Sequence, residues 1–240
     1  MFISTNKATL SFRKGIVEKI YFVSGSALRD YLILVAIRDG YTPTIINEMN
    51  YRPLKMLSYD SSREALQMEN FQGITIQEAF INSQDVKYFK YMGRWLGVMH
   101  RQALHKDHPP AFRDFNTSNV MCNEKEVVAF DPGGWENLYE NKGLAFVIGA
   151  FSVWRCCLIY NRKAVYKALR SYLHGYISVA NRLTLLNWGK GGLYLVKRMY
   201  KRQTKVFMGH LAPVRIVSIM IEVLCFFTFI ILAKLTLVLK

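Results

Sequence analysis

Three oxygen-bearing side chains in the middle of the chain have the types and the order needed to manage a polyphosphate and a hard divalent cation. Asp114 is followed five residues later by Asn119, and Asp131 lies twelve residues beyond that. Phosphoryl transfer asks little covalent work of a protein; it needs a positioned acceptor hydroxyl and neutralised phosphate charge. A carboxylate beside the acceptor orients it and takes its proton, the task that suits Asp114. An amide and a second carboxylate are oxygen ligands of the kind Mg2+ prefers, which suits Asn119 and Asp131. Each of these residues alone would also serve a turn by bonding its own backbone. Their joint order, with defined elements between them, favours the chemical reading.

Those elements can be read outward from the loop. The runs NVM and EVVAF bracket a turn at Asn123, Glu124 and Lys125. This predicts a hairpin that returns Asp131 to the same mouth as Asn119. Ahead of the loop, Phe89, Met92, Leu96 and Met99 or His100 recur at three- to four-residue steps, predicting a helix over 85–104 that Pro109 and Pro110 end. A shorter helix is expected over 75–80. Nearer the start, LSF and IVEKIYF read as strands about the turn Arg13-Lys14-Gly15. A helix over 26–38 follows, with Ser24 or Ser26 as its N-cap and Gly40 as its stop. TPTII and REALQMENF read as further strands around a loop over 47–62. After Gly133 and Gly134, residues 143–160 are apolar on nearly every face, the pattern of a helix buried in a larger lobe or of a short membrane span. Arg155 and the adjacent Cys156 and Cys157 favour the buried helix.

Composition narrows the setting. At 240 residues and 27.8 kDa the chain can bury one substantial core, or two small lobes sharing a cleft. Cys122, Cys156, Cys157 and Cys225 show no metal-ligand spacing and no disulfide framework, and are read as reduced thiols. The first residues lack the apolar core of a secretory signal, so export is not expected. Net charge is +15 and uneven: residues 1–140 are neutral, while 141–240 carry sixteen basic residues and one acid, Glu222. One-sided charge of this kind favours an anionic partner: nucleic acid, an acidic membrane surface or a phosphorylated substrate. The segment 216–233 is interrupted only by Glu222 and is flanked by Lys197, Arg198, Lys201, Arg202, Lys205 and Arg215. Membrane attachment with the main domain on the cytoplasmic side is expected from it, by spanning or by lying in the interface. Tyrosines and tryptophans interleave with this basic half and would suit stacking on bases, but core packing and interfacial anchoring are the favoured uses, so nucleic acid is a disfavoured partner. His100, His105 and His108 straddle the predicted helix end, and a zinc site there is not favoured.

The stretch Phe112-Arg113-Asp114-Phe115-Asn116-Thr117-Ser118-Asn119 resembles the catalytic loop of the protein-kinase-like superfamily. It is closest to aminoglycoside and choline phosphotransferases and to bacterial lipopolysaccharide-core (Kdo/heptose) kinases. Asp131-Pro132-Gly133 is similar to the metal-binding Asp of those families, and Leu96-Gly97-Val98-Met99-His100 to the helix that leads into their loop. The resemblance covers about residues 85–134. It implies that Gln67 to Gly73 form the hinge between lobes, with Glu69 and Phe71 framing adenine. It also implies that Lys19 pairs with phosphates and Asp30 anchors Lys19. Asp30 departs from the usual Glu, with a shorter reach; Phe112 stands where the families place His; no G-x-G-x-x-G loop is present.

The resulting expectation is an α+β, two-lobed kinase-like fold: a small β-rich N-lobe over 1–70, a helical C-lobe over 71–215 with the catalytic loop and basic helices, and a hydrophobic membrane-associated or transmembrane helix over 216–240. The expected activity is ATP- and Mg2+-dependent phosphoryl transfer to a hydroxyl of a small-molecule, sugar or lipid-linked glycan acceptor. The acceptor would lie at the cytoplasmic face of a membrane (the inner membrane in a bacterium), a lipopolysaccharide-core sugar being one example. The alternative is a membrane-tethered pseudokinase or binding scaffold without catalysis.

Overall fold

The computed structural model describes residues 2–4, 8–13, 15–102, 115–130 and 138–180. Asp114, Asp131, His105, His108, Cys225, and the basic and apolar stretches beyond residue 180 lie outside them, as do the expectations placed there.

Three strands open the fold: β1 (Phe2–Ser4), β2 (Ala8–Arg13) and β3 (Ile16–Tyr21), paired as an antiparallel meander. The turn between β2 and β3 passes through Gly15 at φ 76°, a conformation that suits a residue with no Cβ. Helix α1 (Ser26–Gly40) follows. Its start corrects the expected serine cap: the preceding residue is Gly25 at φ 77°, and no side-chain cap bond is made. The Glu64 carboxylate accepts from the backbone N–H groups of Gly25 and Ala27 instead, at 2.9 and 3.2 Å. A distant anion thus satisfies first-turn donors and complements the positive end of the helix.

The stretch 47–62, expected as a loop, carries strands. β4 (Thr44–Ile46) and β5 (Met49–Pro53) form a hairpin through Asn47 and Glu48, both at positive φ. β6 (Met56–Asp60) pairs with β7 (Ala65–Glu69). Their sequences, MNYRP and MLSYD, are too polar to announce strands by propensity; their partners decide. β8 (Ile74–Thr75), β9 (Val120–Cys122) and β10 (Glu126–Ala129) complete two sheets, ordered β1-β2-β3-β7-β6 and β4-β5-β10-β9-β8. β5 runs parallel to β10, while β9 and β10 form the antiparallel hairpin expected from NVM and EVVAF.

The helical part follows from apolar periodicity. α2 (Ile76–Ser83) begins with a reciprocal capping box between Thr75 and Glu78. α3 (Lys87–Gln102) is buried along most of its length, including Phe89, Met92, Trp95, Leu96 and Met99. α4 (Leu138–Tyr160), a 3-10 turn (Arg162–Ala164) and α5 (Val165–Ile177) enclose it. α3 and α5 approach until backbones touch: a Cβ on Gly97 would stand 2.8 Å from the Tyr176 carbonyl oxygen, and one on Gly93 would overlap the Tyr172 carbonyl. α4 is a core helix, burying Phe146, Ala150, Val153, Cys156 and Cys157. Among the described residues no helix is long and apolar enough to cross a membrane. Cys122, Cys156 and Cys157 are free and buried; burial pushes their thiols up to about 11, 11 and 12. They stay protonated and unreactive at neutral pH. The described residues therefore form an α+β arrangement, β-rich first and helical after, as expected.

Candidate active site

The loop that precedes β9 is fastened at nearly every residue. Phe115 is fully buried and stacks on Trp95 of α3, centroids 5.6 Å apart. The Asn116 side chain accepts from the Ser118 N–H at 2.9 Å, and the Asn116 carbonyl accepts from the Asn119 N–H at 3.1 Å, a tight turn. Thr117, also buried, receives three constraints. Its N–H donates to Ser152 Oγ of α4 at 2.8 Å, its hydroxyl lies 3.0 Å from the same oxygen, and its carbonyl accepts from the Gln77 N–H at 3.0 Å. Gln77 belongs to the first turn of α2, so the loop satisfies a donor that a helix start leaves open. The Ser118 hydroxyl donates to the Gln77 side-chain oxygen at 2.9 Å.

Beyond Asn119 the chain forms the β9–β10 hairpin. Val120 faces Ala129 across the β9–β10 register. One step further out, the Phe130 N–H donates to the Asn119 carbonyl at 3.0 Å. Asn119 is half-buried at this open end, and the next residue after Phe130 in the chain is Asp131. In the same way, Asp114 immediately precedes the buried Phe115.

Lys19 and Asp30 meet. Lys19 Nζ, on β3, is 3.6 Å from Asp30 Oδ2, on α1. Asp30 is buried and also accepts from the Tyr21 hydroxyl at 2.5 Å, while Arg29 Nε lies 3.4 Å from its other oxygen. The Lys19 ammonium stands over the Tyr21 ring, 4.7 Å from its centroid. The shorter reach of Asp is met here by the closeness of α1 to β3.

Glu69 and Phe71 are placed differently from one another. The Glu69 carboxylate receives a forked pair of bonds from Arg52 and one from the Lys55 N–H at 2.7 Å. Phe71 is buried in the core of the first sheet with Met56, Met68 and Val128. The Arg52 guanidinium lies 5.7 Å from its ring centroid. Both side chains therefore fix the crossover from β7 into β8, and any contact with an adenine ring would fall to the backbone between them.

Arg52, which sequence reasoning missed, is the centre of this junction. It binds Glu69 at the end of β7 and Glu126 at the start of β10, at 2.8 and 3.0 Å to the latter, while its carbonyl accepts from Trp95 Nε1 at 2.8 Å. The Arg52 guanidinium holds the Glu126 carboxyl below the usual carboxylate range, and Glu126 and Glu69 hold Arg52 above its ordinary value. One signal was available: an Arg beside a Pro inside a stretch read as loop. Its partners, seventeen and seventy-four residues away, were not. A hollow of about 540 Å³ lined by Glu48, Asn50, Glu124, Lys125 and Glu126 lies at the turn end of the hairpin, opposite to Asn119.

If Asn119 and Asp131 act together as expected, their donors are all oxygen, which would suit Mg2+ and no soft metal. Among the described residues alone, no group of three or more His, Cys, Asp or Glu is arranged to hold a metal. His100 is occupied otherwise: its Nδ1 is 2.8 Å from the Tyr176 hydroxyl in the α3–α5 core.

No family model matches the chain, and no curated protein matches it. Similar solved structures include a choline/ethanolamine kinase family protein from Mesorhizobium loti, at 11% identity and TM-score 0.49 over 82% of this chain and 80% of that one. They also include the ADP-bound aminoglycoside phosphotransferase APH(2'')-Ib, at 10% and 0.48 over 92% and 90%. A third is the ternary complex of streptomycin, ATP and APH(2'')-IIa, at 11% and 0.47 over 92% and 90%.

Proposed function

We propose that the chain is an ATP-dependent phosphotransferase that moves the γ-phosphoryl group to a hydroxyl of a small-molecule, sugar or lipid-linked glycan acceptor at the cytoplasmic face of a membrane. The observation that carries this reading is the Phe130–Asn119 hydrogen bond, which closes the β9–β10 hairpin at Asn119, Phe130 being the residue that precedes Asp131 in the sequence. The Lys19–Asp30 pair adds a fixed cation on β3 for nucleotide phosphates. In this reading Asp114 accepts the proton of the acceptor hydroxyl as its oxygen bonds to the γ-phosphorus. The bond from that phosphorus to the β–γ bridging oxygen breaks, and ADP leaves. Asn119 and Asp131 would hold Mg2+, which when bound neutralises phosphate charge. Backbone groups around Glu69 and Phe71 border the adenine. Sixteen basic residues against one acid over 141–240 favour an acceptor that is itself anionic or lipid-linked, such as a lipopolysaccharide-core sugar.

The test uses the full chain with Mg2+, γ-labelled ATP and membrane extract. Label should enter an acceptor; Asp114→Ala should abolish transfer while keeping a nucleotide-dependent rise in melting temperature. Asp131→Ala should lose the Mg2+-dependent part of that rise. A wild-type protein that neither labels an acceptor nor responds to Mg2+-ATP would instead be a binding scaffold, and an Asp114→Ala variant as active as wild type would remove the assigned base.

A further inference from the structure

The corner where α4 turns into α5 exposes apolar side chains that the core does not use. Ile159 is 62% exposed, Tyr160 44% and Tyr166 59%. The exposed positions between and around them are basic: Arg155, Arg162, Lys163, Lys167 and Arg170. Arg155 and Ile159 share a face of α4 at i, i+4 spacing. Lys163, Tyr166, Lys167 and Arg170 share a face leading into α5. No step between neighbours in this set exceeds four residues, so the patch runs unbroken around the corner. The opposite face of α5, through Ala168, Leu169, Tyr172 and Tyr176, is buried. The outward face is thus not core left uncovered by a shift of register.

The charge of this surface has one sign. No acid occurs from Asn141 to Ile221. Among the described residues, Arg155, Lys163, Lys167 and Arg170 make no ion pair, although seven such pairs occur elsewhere. A solvated helix face ordinarily mixes both signs. Tyrosine at the rim of an aliphatic side chain, ringed by long cationic stems, matches the headgroup region of a bilayer, where aromatic rings sit at the interface and Lys and Arg meet lipid phosphates. Tyr160 and Tyr166 would also suit stacking on bases, whereas the exposed aliphatic Ile159 would not and suits hydrocarbon.

We propose that the α4–α5 corner is a docking surface for a bilayer carrying anionic lipids. It would set which face of the domain meets the membrane, separately from any attachment through residues 216–240. The inference rests on the membrane-facing part of the function proposed above and not on its phosphoryl-transfer part.

The test uses the full chain with an environment-sensitive fluorophore at Tyr166→Cys, in a Cys225→Ser background, mixed with phosphatidylcholine vesicles with or without phosphatidylglycerol. The probe should shift to the blue and brighten only with phosphatidylglycerol. The paired substitution Lys163→Glu and Lys167→Glu should weaken vesicle binding at least about tenfold. Ile159→Ser, with all charges intact, should diminish the probe shift. Melting temperature with and without Mg2+-ATP reports on folding and on the nucleotide site independently. Vesicle binding without a probe shift would assign attachment to other residues and overturn the proposal. Equal affinity of the charge-reversed pair would also overturn it, as would salt-sensitive binding of single-stranded RNA in place of vesicles.

Discussion

The two five-stranded sheets differ in what holds them. The first is fastened to α1 and to its own turns by charged side chains reaching across: Lys19 to Asp30, Arg63 to Glu18 at 3.1 Å, and Glu64 to the start of α1. The second adds to its Arg52–Glu126 pair the close neutral packing of the helical part: α3 lies against β5 and β10, Trp95 stacks on Phe115, Phe146 meets Tyr172 at 4.9 Å, and glycines stand where helix backbones meet. In the two ion pairs the carboxylate is buried and only the cation reaches the surface, where its long stem can adjust, whereas packed interiors do not deform continuously. The loop carrying Asn119 grows from the rigid part; Lys19 belongs to the adjustable part. Under the proposed function, this division would put the acceptor side on the packed part and the nucleotide side on the part held by charge.

The strongest way to break the comparison is to overfill the packed part. Gly93→Ala places a methyl group against the Tyr172 carbonyl, with the Tyr176 amide nitrogen 3.0 Å from it. Alanine in a helix interior is intrinsically favoured over glycine by about 1 kcal/mol, while overpacking costs about 1–3 kcal/mol, more when the obstacle is backbone. A net loss of about 2 kcal/mol or more in denaturant unfolding is expected. Unchanged stability would mean that α3 and α5 can part easily, and the contrast between the regions would fail.

Arg52 pairs with carboxylates of both sheets, Glu69 of β7 and Glu126 of β10, so removing it should cost nearly as much. Arg52→Met keeps bulk against Phe71 but leaves Glu69 and Glu126 without their forked partner. The carboxylates are partly exposed, which discounts the penalty of a fully buried pair to about 1.5–2 kcal/mol. The loss is pH-dependent. The folded-state Glu126 lies below its ordinary 4.5, so its contribution is present above about pH 4.5 and disappears as pH falls through the lower folded value. Wild type and variant should therefore converge in stability in acid. Parallel curves down to pH 3 would show that Arg52 acts by packing alone.

Thr117→Val tests the loop itself. The variant keeps the Thr117 N–H to Ser152 bond and removes the hydroxyl contacts to Ser152 and Gln77. About 1 kcal/mol of stability should be lost. If Asp114 and Asn119 depend on this anchor, turnover under the proposed activity should fall about tenfold with little change in nucleotide affinity, since small misplacements of reacting groups are costly. A drop in nucleotide affinity instead would place the effect in the first sheet.

How much of this was visible in the residues follows the same division. The α3 periodicity and the β9–β10 hairpin are local patterns, and each was readable from spacing. β5 and β6 were not, because MNYRP and MLSYD become strands only against β10 and β7, far away in sequence. Lys19 with Asp30 was reachable by resemblance, but the Tyr21 hydroxyl that completes the set was not: a tyrosine two residues along a strand reads as core. Arg52 and its two glutamates needed coordinates, since ion pairs across sheets leave no trace in periodicity.

The smallest effect separates a local cap from a distant one. Had Ser26 capped α1, Ser26→Ala would cost about 1 kcal/mol. With Glu64 supplying the anion, that substitution should change stability by less than about 0.5 kcal/mol. Glu64→Gln keeps one of the two oxygen acceptors and puts an amide NH2 in place of the other, so the charge and one of the bonds to Gly25 and Ala27 go together and about 0.5–1 kcal/mol should be lost at low salt. The loss should shrink as ionic strength rises, because the contact between charge and helix dipole is partly exposed and salt screens it. A salt-independent loss would mean that the bond geometry matters and the helix dipole does not. A large effect of Ser26→Ala would return the cap to the serine and leave the first sheet less dependent on charge than its contacts imply.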